Sequence, residues 1–297
     1  MRKLSGIFLV GLCLGAAGAV VVTAGHSTAA SSQPIAVTEL GTTTSAAPTP
    51  APAPKTETKT QTEPPGSPAK AAPAAPARVD AAVLDKLVRD GEVSAVVFDR
   101  QQGAAIDSVH ADRGYTSASL VKLLIGLSVL EQGGPVADVQ RMLSRSDDDL
   151  ASRFWSSYGG TSIVTRWVRK LGLTGTRPPS DPGRWGDTRI TAPDVVRIYQ
   201  YLLERKSNAA LTALRDATER GSDGFRQYFG IPDAAGGRPW AVKQGWSCCG
   251  PTRMLHTSGL VGEDNRYIVV VLTEHPVKVD YATASRRVTE IVSTLLG

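Results

Sequence analysis

The chain has 297 residues, of which 41% are hydrophobic and 21% are charged, and its formal net charge is +5. This length and apolar fraction suffice for a sizeable hydrophobic core. The basic residues are scattered among acidic ones, which argues against a nucleic-acid partner. The histidines lack metal-ligand spacing, and the adjacent Cys248 and Cys249 have no histidine cluster beside them, so we expect no metal and no other cofactor.

Residues 1–30 have the pattern of an export segment. Two basic residues precede an uncharged apolar run over 6–23. The run is close to the ~18–20 residues that span a bilayer, so a signal peptide cleaved after the small residues 28–30 and an uncleaved membrane anchor both stay open. Lipidation of Cys13 is a third alternative, disfavoured by the bulky Leu12 before it. In each case we expect an extracytoplasmic protein, either secreted into the cell wall or held at the membrane.

Residues 31–78 have the composition of a disordered linker. Ten of the 19 prolines of the chain lie there, among Ala, Thr and Lys and without an aromatic residue. Such a segment cannot bury enough apolar surface to fold, and its prolines favour an extended chain. We expect a linker that holds the folded domain, 79–297, away from a membrane.

The domain is predicted to begin with a helix and a β-hairpin. Apolar spacing predicts the helix over 79–89, with Asp80 as its N-cap. Alternating apolar residues predict strands over 93–99 and 104–109.

The middle of the domain is predicted to be helical, and its end returns to strands. A polar loop rich in Gly and Pro is expected over 174–189, and a helix cap at 191–194. Helices are predicted from about Ser119 to Leu130, over 135–143, 146–155, 161–170, 195–203 and 281–296, and strands over 240–246, 252–261 and 267–273, with a hairpin at Asp264 and Asn265. Strands at both ends of a domain with helices between them predict an α+β fold, in which an antiparallel sheet built from both ends is flanked by helices and carries a helical subdomain.

Ser119 and Lys122 lie one turn apart at the start of the most apolar helix. A helix that is apolar on nearly every face is a buried one, so its lysine needs a partner or loses its proton. The pair is a candidate nucleophile and base. The same spacing occurs at Ser67 and Lys70 in the proline-rich segment, so the pattern alone is weak and depends on partners elsewhere.

Such partners follow in order along the chain. The three motifs are Ser119-x-x-Lys122, Ser146-Asp147-Asp148 and Lys243-Gln244-Gly245. This series resembles the class A β-lactamase and penicillin-binding-protein superfamily of serine hydrolases, whose signatures are Ser-x-x-Lys, Ser-Asp-Asn and Lys-Thr-Gly. The resemblance covers about residues 80–297 and implies a β-lactamase-like fold.

The resemblance implies an acyl-transfer mechanism. Ser119 would attack a carbonyl carbon, and Lys122 would accept its proton if burial lowers the lysine pKa. Ser146 would relay a proton to the leaving nitrogen, and Lys243 would add positive potential to the cleft. Backbone N–H groups of Ser119 and Trp246 would form the oxyanion hole. The residues implied to contact the substrate are Asp148, Gln244, Gly245 and Trp246.

Three departures from the family pattern concern the substrate and its turnover. Asp148 stands where the family has Asn, and Gln244 stands where it has Thr or Ser; Arg253 is a candidate to grip a substrate carboxylate instead. No glutamate occurs between Glu131 and Glu204, where class A enzymes place the base that activates the deacylating water. The loop carboxylates Asp181 and Asp187 are expected to brace the loop rather than replace that base.

Two functions remain open on these residues. The first is a serine hydrolase or acyltransferase that forms an acyl-enzyme at Ser119 on a β-lactam, a cell-wall peptide or a similar amide. The second is a catalytically impaired module that binds peptidoglycan or a partner protein. In either case we expect a monomer whose contact with a membrane is made by its N-terminal segment if that segment is not cleaved. His256 is expected to be a hydrogen-bonded packing residue.

Overall fold

A computed structural model describes residues 78–205, 209–247 and 250–297. The predicted export segment, nearly all of the predicted linker, and Cys248 and Cys249 lie outside the described residues. Within the described residues, no helix is both long and apolar enough to cross a membrane.

A five-stranded antiparallel sheet forms the centre of the domain. Its strands are β1 (Glu92–Asp99), β2 (Ala104–Val109), β5 (Trp240–Ser247), β6 (Thr252–Val261) and β7 (Tyr267–Pro276), in the spatial order β2-β1-β7-β6-β5. A two-stranded pair, β3 (Tyr115–Thr116) with β4 (Arg189–Ile190), lies apart from it. Strands from both ends of the domain therefore share one sheet, and the predicted α+β fold is confirmed.

The helices pack on both faces of this sheet. They are α1 (Ala81–Val88), α2 (Lys122–Glu131), α3 (Val136–Ser144), α4 (Asp148–Tyr158), α5 (Thr161–Leu171), α6 (Ala192–Glu204), α7 (Ala209–Arg215), α8 (Ile231–Ala234) and α9 (Tyr281–Leu296). Strand β7 shows how the two layers are divided. Ile268, Val270 and Leu272 join the core with the helical subdomain, whereas Val269 and Val271 join the core with α1 and α9. Side chains alternate along a strand, so a strand buried on both faces reads as a continuous apolar run.

The caps of the helices follow the sequence in part. Asp80 accepts a hydrogen bond of 2.9 Å from the Ala82 N–H, as predicted for α1. At α6 the expected cap differs, because Thr191 makes no side-chain cap bond. Asp194 is instead buried and accepts hydrogen bonds from the backbone N–H groups of Thr174 and Gly175, so it braces the polar loop.

Two short helices were not predicted. The sequence pattern assigns no element between α6 and β5, where the structure has α7 and α8. Both are too short to show a helical period clearly. The sheet topology nevertheless positions the predicted site, because β5 is an edge strand and lies against the segment that carries Ser119.

Candidate active site

Ser119 lies on a 3₁₀ turn, Ala118–Val121, that leads directly into the buried helix α2. The residue before it, Ala118, has φ of 46°, a left-handed conformation that non-glycine residues seldom adopt. This turn places the Ser119 Oγ 2.9 Å from the Nζ of Lys122, which is fully buried. The predicted nucleophile and base are therefore in direct contact.

Ser146 lies between the two lysines of the site. Its Oγ is 3.2 Å from the Lys122 Nζ and accepts a hydrogen bond of 2.8 Å from the Lys243 Nζ. Its carbonyl oxygen also accepts from Lys122 at 2.8 Å. Ser146 has φ of 51°, and this left-handed conformation, two residues before the start of α4, orients its hydroxyl and carbonyl groups towards the lysines. The structure thus brings the four predicted catalytic residues into one continuous hydrogen-bonded chain.

Burial controls the protonation of the two lysines. Removal from water lowers the pKa of Lys122, and the nearby carboxylate of Asp148 opposes that shift. The pKa of Lys243 is lowered well below its ordinary value, first by burial and then by repulsion from Lys122. Burying two ammonium groups side by side costs free energy, through lost hydration and mutual repulsion. The pair therefore favours a state in which one of the two amines is neutral.

The contacts and the pKa shifts make Lys243 the neutral amine of the resting pair, because Lys122 contacts the Asp148 carboxylate and the pKa of Lys243 is lowered further. The Lys122 Nζ faces four acceptor atoms, namely the Ser119 Oγ, the Ser146 oxygen atoms O and Oγ, and the Asp148 carboxylate, which suits an ammonium group with three donors. Lys122 acts as the base once it has lost its proton, because its neutral amine can then donate to Ser146 and Asp148 while its lone pair accepts the Ser119 hydroxyl proton. That arrangement makes Ser119 a stronger nucleophile.

Asp148 lies at the N-terminus of α4 and contacts Lys122 directly. Its side chain is 67% exposed, so one side of the carboxyl group faces the cleft. An aspartate here offers a substrate amide N–H only acceptor atoms. Asp148 thus lines the cleft, and its contact with a substrate stays a prediction.

Gly245 lets strand β5 approach the nucleophile segment closely. A Cβ at Gly245 would lie 3.0 Å from the Ser117 carbonyl oxygen and 3.2 Å from the Leu120 Cγ. The next residue, Trp246, lines the cleft together with Ser119. Because β5 is an edge strand, no further strand among the described residues occupies its outer backbone groups. This is the region where the predicted oxyanion hole would form.

Gln244 does not reach the cleft, and its predicted contact with the substrate is wrong. Its side chain is buried, and its Nε2 donates to the carbonyl oxygens of Gln227, at 2.8 Å, and Phe229, at 2.7 Å. Strand alternation directs Gln244 to the face opposite Lys243 and Gly245. Alternation alone does not decide this, because Trp246 shares the face of Gln244 and still lines the cleft; the bonds to Gln227 and Phe229 are what keep the Gln244 amide buried.

The cleft has a volume of about 480 Å³ and includes residues that the sequence pattern did not identify. Trp185 forms one wall, and the Nζ of Lys122 lies 4.9 Å from the centroid of its ring. Asp223 accepts a hydrogen bond of 2.9 Å from the Trp246 indole N–H. Tyr281, the first residue of α9, lines the cleft from the other side. Each is on a loop or an element terminus, where no periodic signal marks a site.

The loop carboxylates brace the loop. Asp181 accepts a hydrogen bond of 2.9 Å from the Gly183 N–H. Asp187 lines the cleft, but its carboxylate contacts the Arg184 Nε at 2.5 Å. Both carboxylates are therefore engaged by groups of the loop itself.

Arg253 lies beneath Tyr281, with its guanidinium carbon 4.3 Å from the centroid of the ring. Its Nε and Nη1 atoms are buried and have no hydrogen-bond partner within the described residues. His256 is a buried packing residue, as predicted, because one ring nitrogen lies 2.9 Å from the Thr116 carbonyl oxygen and the other accepts the Thr273 N–H at 3.1 Å. Among the described residues, no cluster of His, Cys, Asp and Glu could hold a metal ion.

Comparison with known proteins assigns this chain to a family. The model of the beta-lactamase enzyme family matches residues 135–296. The chain is 36% identical over 249 residues to proteins named "Putative lipoprotein LppW" from Mycobacterium tuberculosis and Mycobacterium bovis, with 78% of each chain covered. This chain belongs to the beta-lactamase enzyme family.

Solved structures agree on the fold of this beta-lactamase family member. A class A beta-lactamase from Bacteroides cellulosilyticus DSM 14838 superposes with a TM-score of 0.58 at 14% identity, covering 72% of this chain and 94% of that one. TLA-3 extended-spectrum beta-lactamase gives 0.58 at 13% identity, covering 72% and 96%. An ancestral class A beta-lactamase gives 0.56 at 17% identity, covering 72% and 96%. These superpositions establish a class A beta-lactamase fold. Because the sequence identities are low, the activity has to be argued from the site.

Proposed function

We propose that this beta-lactamase family member is a serine acyl-transfer enzyme that forms an acyl-enzyme at Ser119. The supporting observation is the distance of 2.9 Å between the Lys122 Nζ and the Ser119 Oγ in a buried site. Lys122 takes the Ser119 proton as Oγ attacks the carbonyl carbon of an amide. Collapse of the tetrahedral intermediate breaks the C–N bond, and the leaving nitrogen takes its proton from the Ser146 Oγ, which Lys243 keeps oriented and which regains a proton from Lys122.

The substrate class is an amide that carries a carboxylate, such as a β-lactam or a cell-wall peptide. Support comes from Arg253, whose buried Nε and Nη1 atoms lack partners in the described part of the chain. This guanidinium lies beneath Tyr281, a residue of the cleft wall, so a substrate carboxylate would reach it only when that ring moves aside. The predicted export segment supports a location outside the cytoplasm, and the relatives named "Putative lipoprotein LppW" favour attachment to the membrane over release.

Deacylation is proposed to be slow. No glutamate occurs between Glu131 and Glu204, and the Asp187 carboxylate in the cleft is paired with the Arg184 guanidinium. Loss of a general base typically costs about 10²–10⁴ in rate. The acyl-enzyme would therefore persist until a substrate nucleophile or slow hydrolysis releases it.

Intact-mass spectrometry after incubation with a penicillin or an activated serine probe tests this function. We expect a mass increase equal to one acyl group that remains after excess reagent is removed. If neither reagent gives an adduct at Ser119, the proposal is overturned.

The second candidate is a catalytically impaired binding module, favoured by the contact between Asp148 and Lys122. That contact stabilises the protonated lysine, which is a poor base. A Lys122→Ala variant separates the two candidates. An enzyme loses probe labelling in this variant, whereas a binding module retains its affinity for peptidoglycan.

A further inference from the structure

A second pocket adjoins the candidate active site. It has a volume of about 590 Å³ and lies between the segment 225–233 and helix α9. The catalytic cleft has about 480 Å³, and Tyr281 lines both spaces. Each volume is in the range of a site for a ligand of drug size. A small bicyclic amide bound at Ser119 would leave the second pocket empty.

A continuous aromatic wall connects the two spaces. Trp246 faces the cleft, and Phe225, which lines the second pocket, stacks on it with ring centroids 4.8 Å apart and planes 18° apart. Tyr281 meets Phe225 edge-on at 5.1 Å. Aromatic faces of this kind bury apolar groups of a ligand at little entropic cost. A chain leaving the cleft past Tyr281 would therefore follow an apolar surface.

The rim of the second pocket carries charges of both signs. Arg226 is already paired with Asp233 at 2.8 Å. Arg286 and Glu290 lie one turn apart on α9, and neither has an ion-pair partner within the described residues. The Arg286 guanidinium, which donates to the Thr283 hydroxyl, and the Glu290 carboxylate lie at the edge of an apolar floor and complement a ligand with a carboxylate and an amine. A peptide has these features together with apolar side chains.

We propose that this second pocket is a distal subsite that binds the far end of an extended peptide substrate whose scissile amide lies at Ser119. The inference rests on the proposed function for the location of the scissile bond. It adds a substrate class to that function, namely peptides that extend several residues beyond the reacting amide.

A Ser285→Trp variant tests the subsite, because Ser285 lines the second pocket and does not line the cleft. The matched control is Ser293→Trp, the same change on α9 at an exposed residue that lines neither space. The substrates are alanyl dipeptide thioesters and hexapeptide thioesters, extended on the acyl side in one series and on the leaving side in another. We expect Ser285→Trp to lower the acylation rate constant of one hexapeptide series about tenfold and to leave the dipeptides within about twofold.

Equal effects on dipeptides and hexapeptides, or an effect as large in Ser293→Trp, would overturn the subsite. Ala282→Trp, at an exposed residue of the same pocket, provides a second filling variant if Ser285→Trp does not fold. Both variants are checked by their melting temperature before kinetics.

Binding to a Ser119→Ala protein separates the subsite from the proposed function. We expect Ser285→Trp to weaken binding of the hexapeptide to this protein about tenfold, measured by tryptophan fluorescence. If that weakening occurs but wild-type Ser119 is never acylated, the subsite stands and the proposed function fails. If dipeptides acylate Ser119 while Ser285→Trp leaves hexapeptide binding unchanged, the proposed function stands and the subsite fails.

Discussion

The carboxylate of Asp148 contacts the buried Nζ of Lys122. Burial lowers the pKa of Lys122, and Asp148 is the largest influence that raises it again. The carboxylate therefore limits the fraction of Lys122 that is neutral at a given pH. In a fold where the family places an asparagine at this position, the substitution acts on the base as well as on the substrate.

An Asp148→Asn variant is expected to acylate faster near neutral pH. The change removes a charge that stabilises protonated Lys122, so the lysine pKa falls and the neutral amine is present at lower pH. We expect the pH profile of probe labelling to move to lower pH, by about one unit for each 1.4 kcal/mol of lost interaction. The control is Asp149→Asn, the next carboxylate in the first turn of α4. A profile that does not move, or that moves to higher pH, contradicts the role given to Asp148.

A Ser146→Ala variant is expected to lower the acylation rate by about 10²–10⁴. Its Oγ joins Lys122 and Lys243, and its loss interrupts proton transfer to the leaving nitrogen. The measurement compares an amide substrate with an activated serine probe whose leaving group needs no proton. The amide should lose far more rate than the probe; equal losses would indicate only damage to the site. Ser144→Ala, on α3, is a matched control for removal of a nearby serine hydroxyl.

A Gln244→Thr variant is expected to lose stability without gaining affinity. The buried amide of Gln244 donates to two backbone carbonyl oxygens, which threonine would leave without these donors. Each lost bond to a buried group costs about 1–3 kcal/mol. Chemical unfolding measures the loss, and acylation kinetics measure KM. A lower KM for a carboxylate-bearing substrate at unchanged stability would contradict this orientation.

Acid is expected to destabilise the fold through His256. Burial lowers the pKa of His256 to about 4, from an ordinary value of 6.5, so the folded state resists a proton that the unfolded chain accepts. This contribution to stability is complete above pH 6.5 and is lost as the pH falls towards 4, with a total of about 3 kcal/mol.

The measurement is the free energy of unfolding against pH for the wild type and for His256→Gln. Glutamine can donate to the Thr116 carbonyl and accept the Thr273 N–H without titrating. The variant should show a shallower decline, with a remainder from His275, whose pKa burial also lowers to about 4. Identical slopes in the two proteins would contradict the assignment.

Much of the site could be predicted because its chemistry lies on regular elements. Ser119 and Lys122 are one turn apart at the start of a buried helix, and Lys243 is on a strand with a clear apolar pattern. The motifs identify these residues without a structure. The left-handed conformations of Ala118 and Ser146 gave no sequence signal, because neither residue type favours a positive φ.

The walls of the cleft could not be predicted. Trp185, Asp223 and Tyr281 come from a loop, a turn and a helix start that are far apart along the chain. Their proximity follows from long-range packing around the sheet, for which a single sequence has no local signature. The error at Gln244 has a different origin. The motif match predicts a side chain in the cleft, whereas the Gln244 amide is buried against the carbonyl oxygens of Gln227 and Phe229, a contact that the motif does not show.

Site-resolved mass spectrometry of acylated protein tests the account most directly. The chain contains its own control, since Ser67 and Lys70 repeat the Ser-x-x-Lys spacing in the proline-rich segment. After incubation with a penicillin or an activated serine probe, we predict one acyl group on the peptide that contains Ser119, none on the peptide that contains Ser67, and no labelling in Lys122→Ala. Labelling of both serines alike, or none at Ser119 with either reagent, would contradict the claim that Lys122 activates Ser119 as the nucleophile.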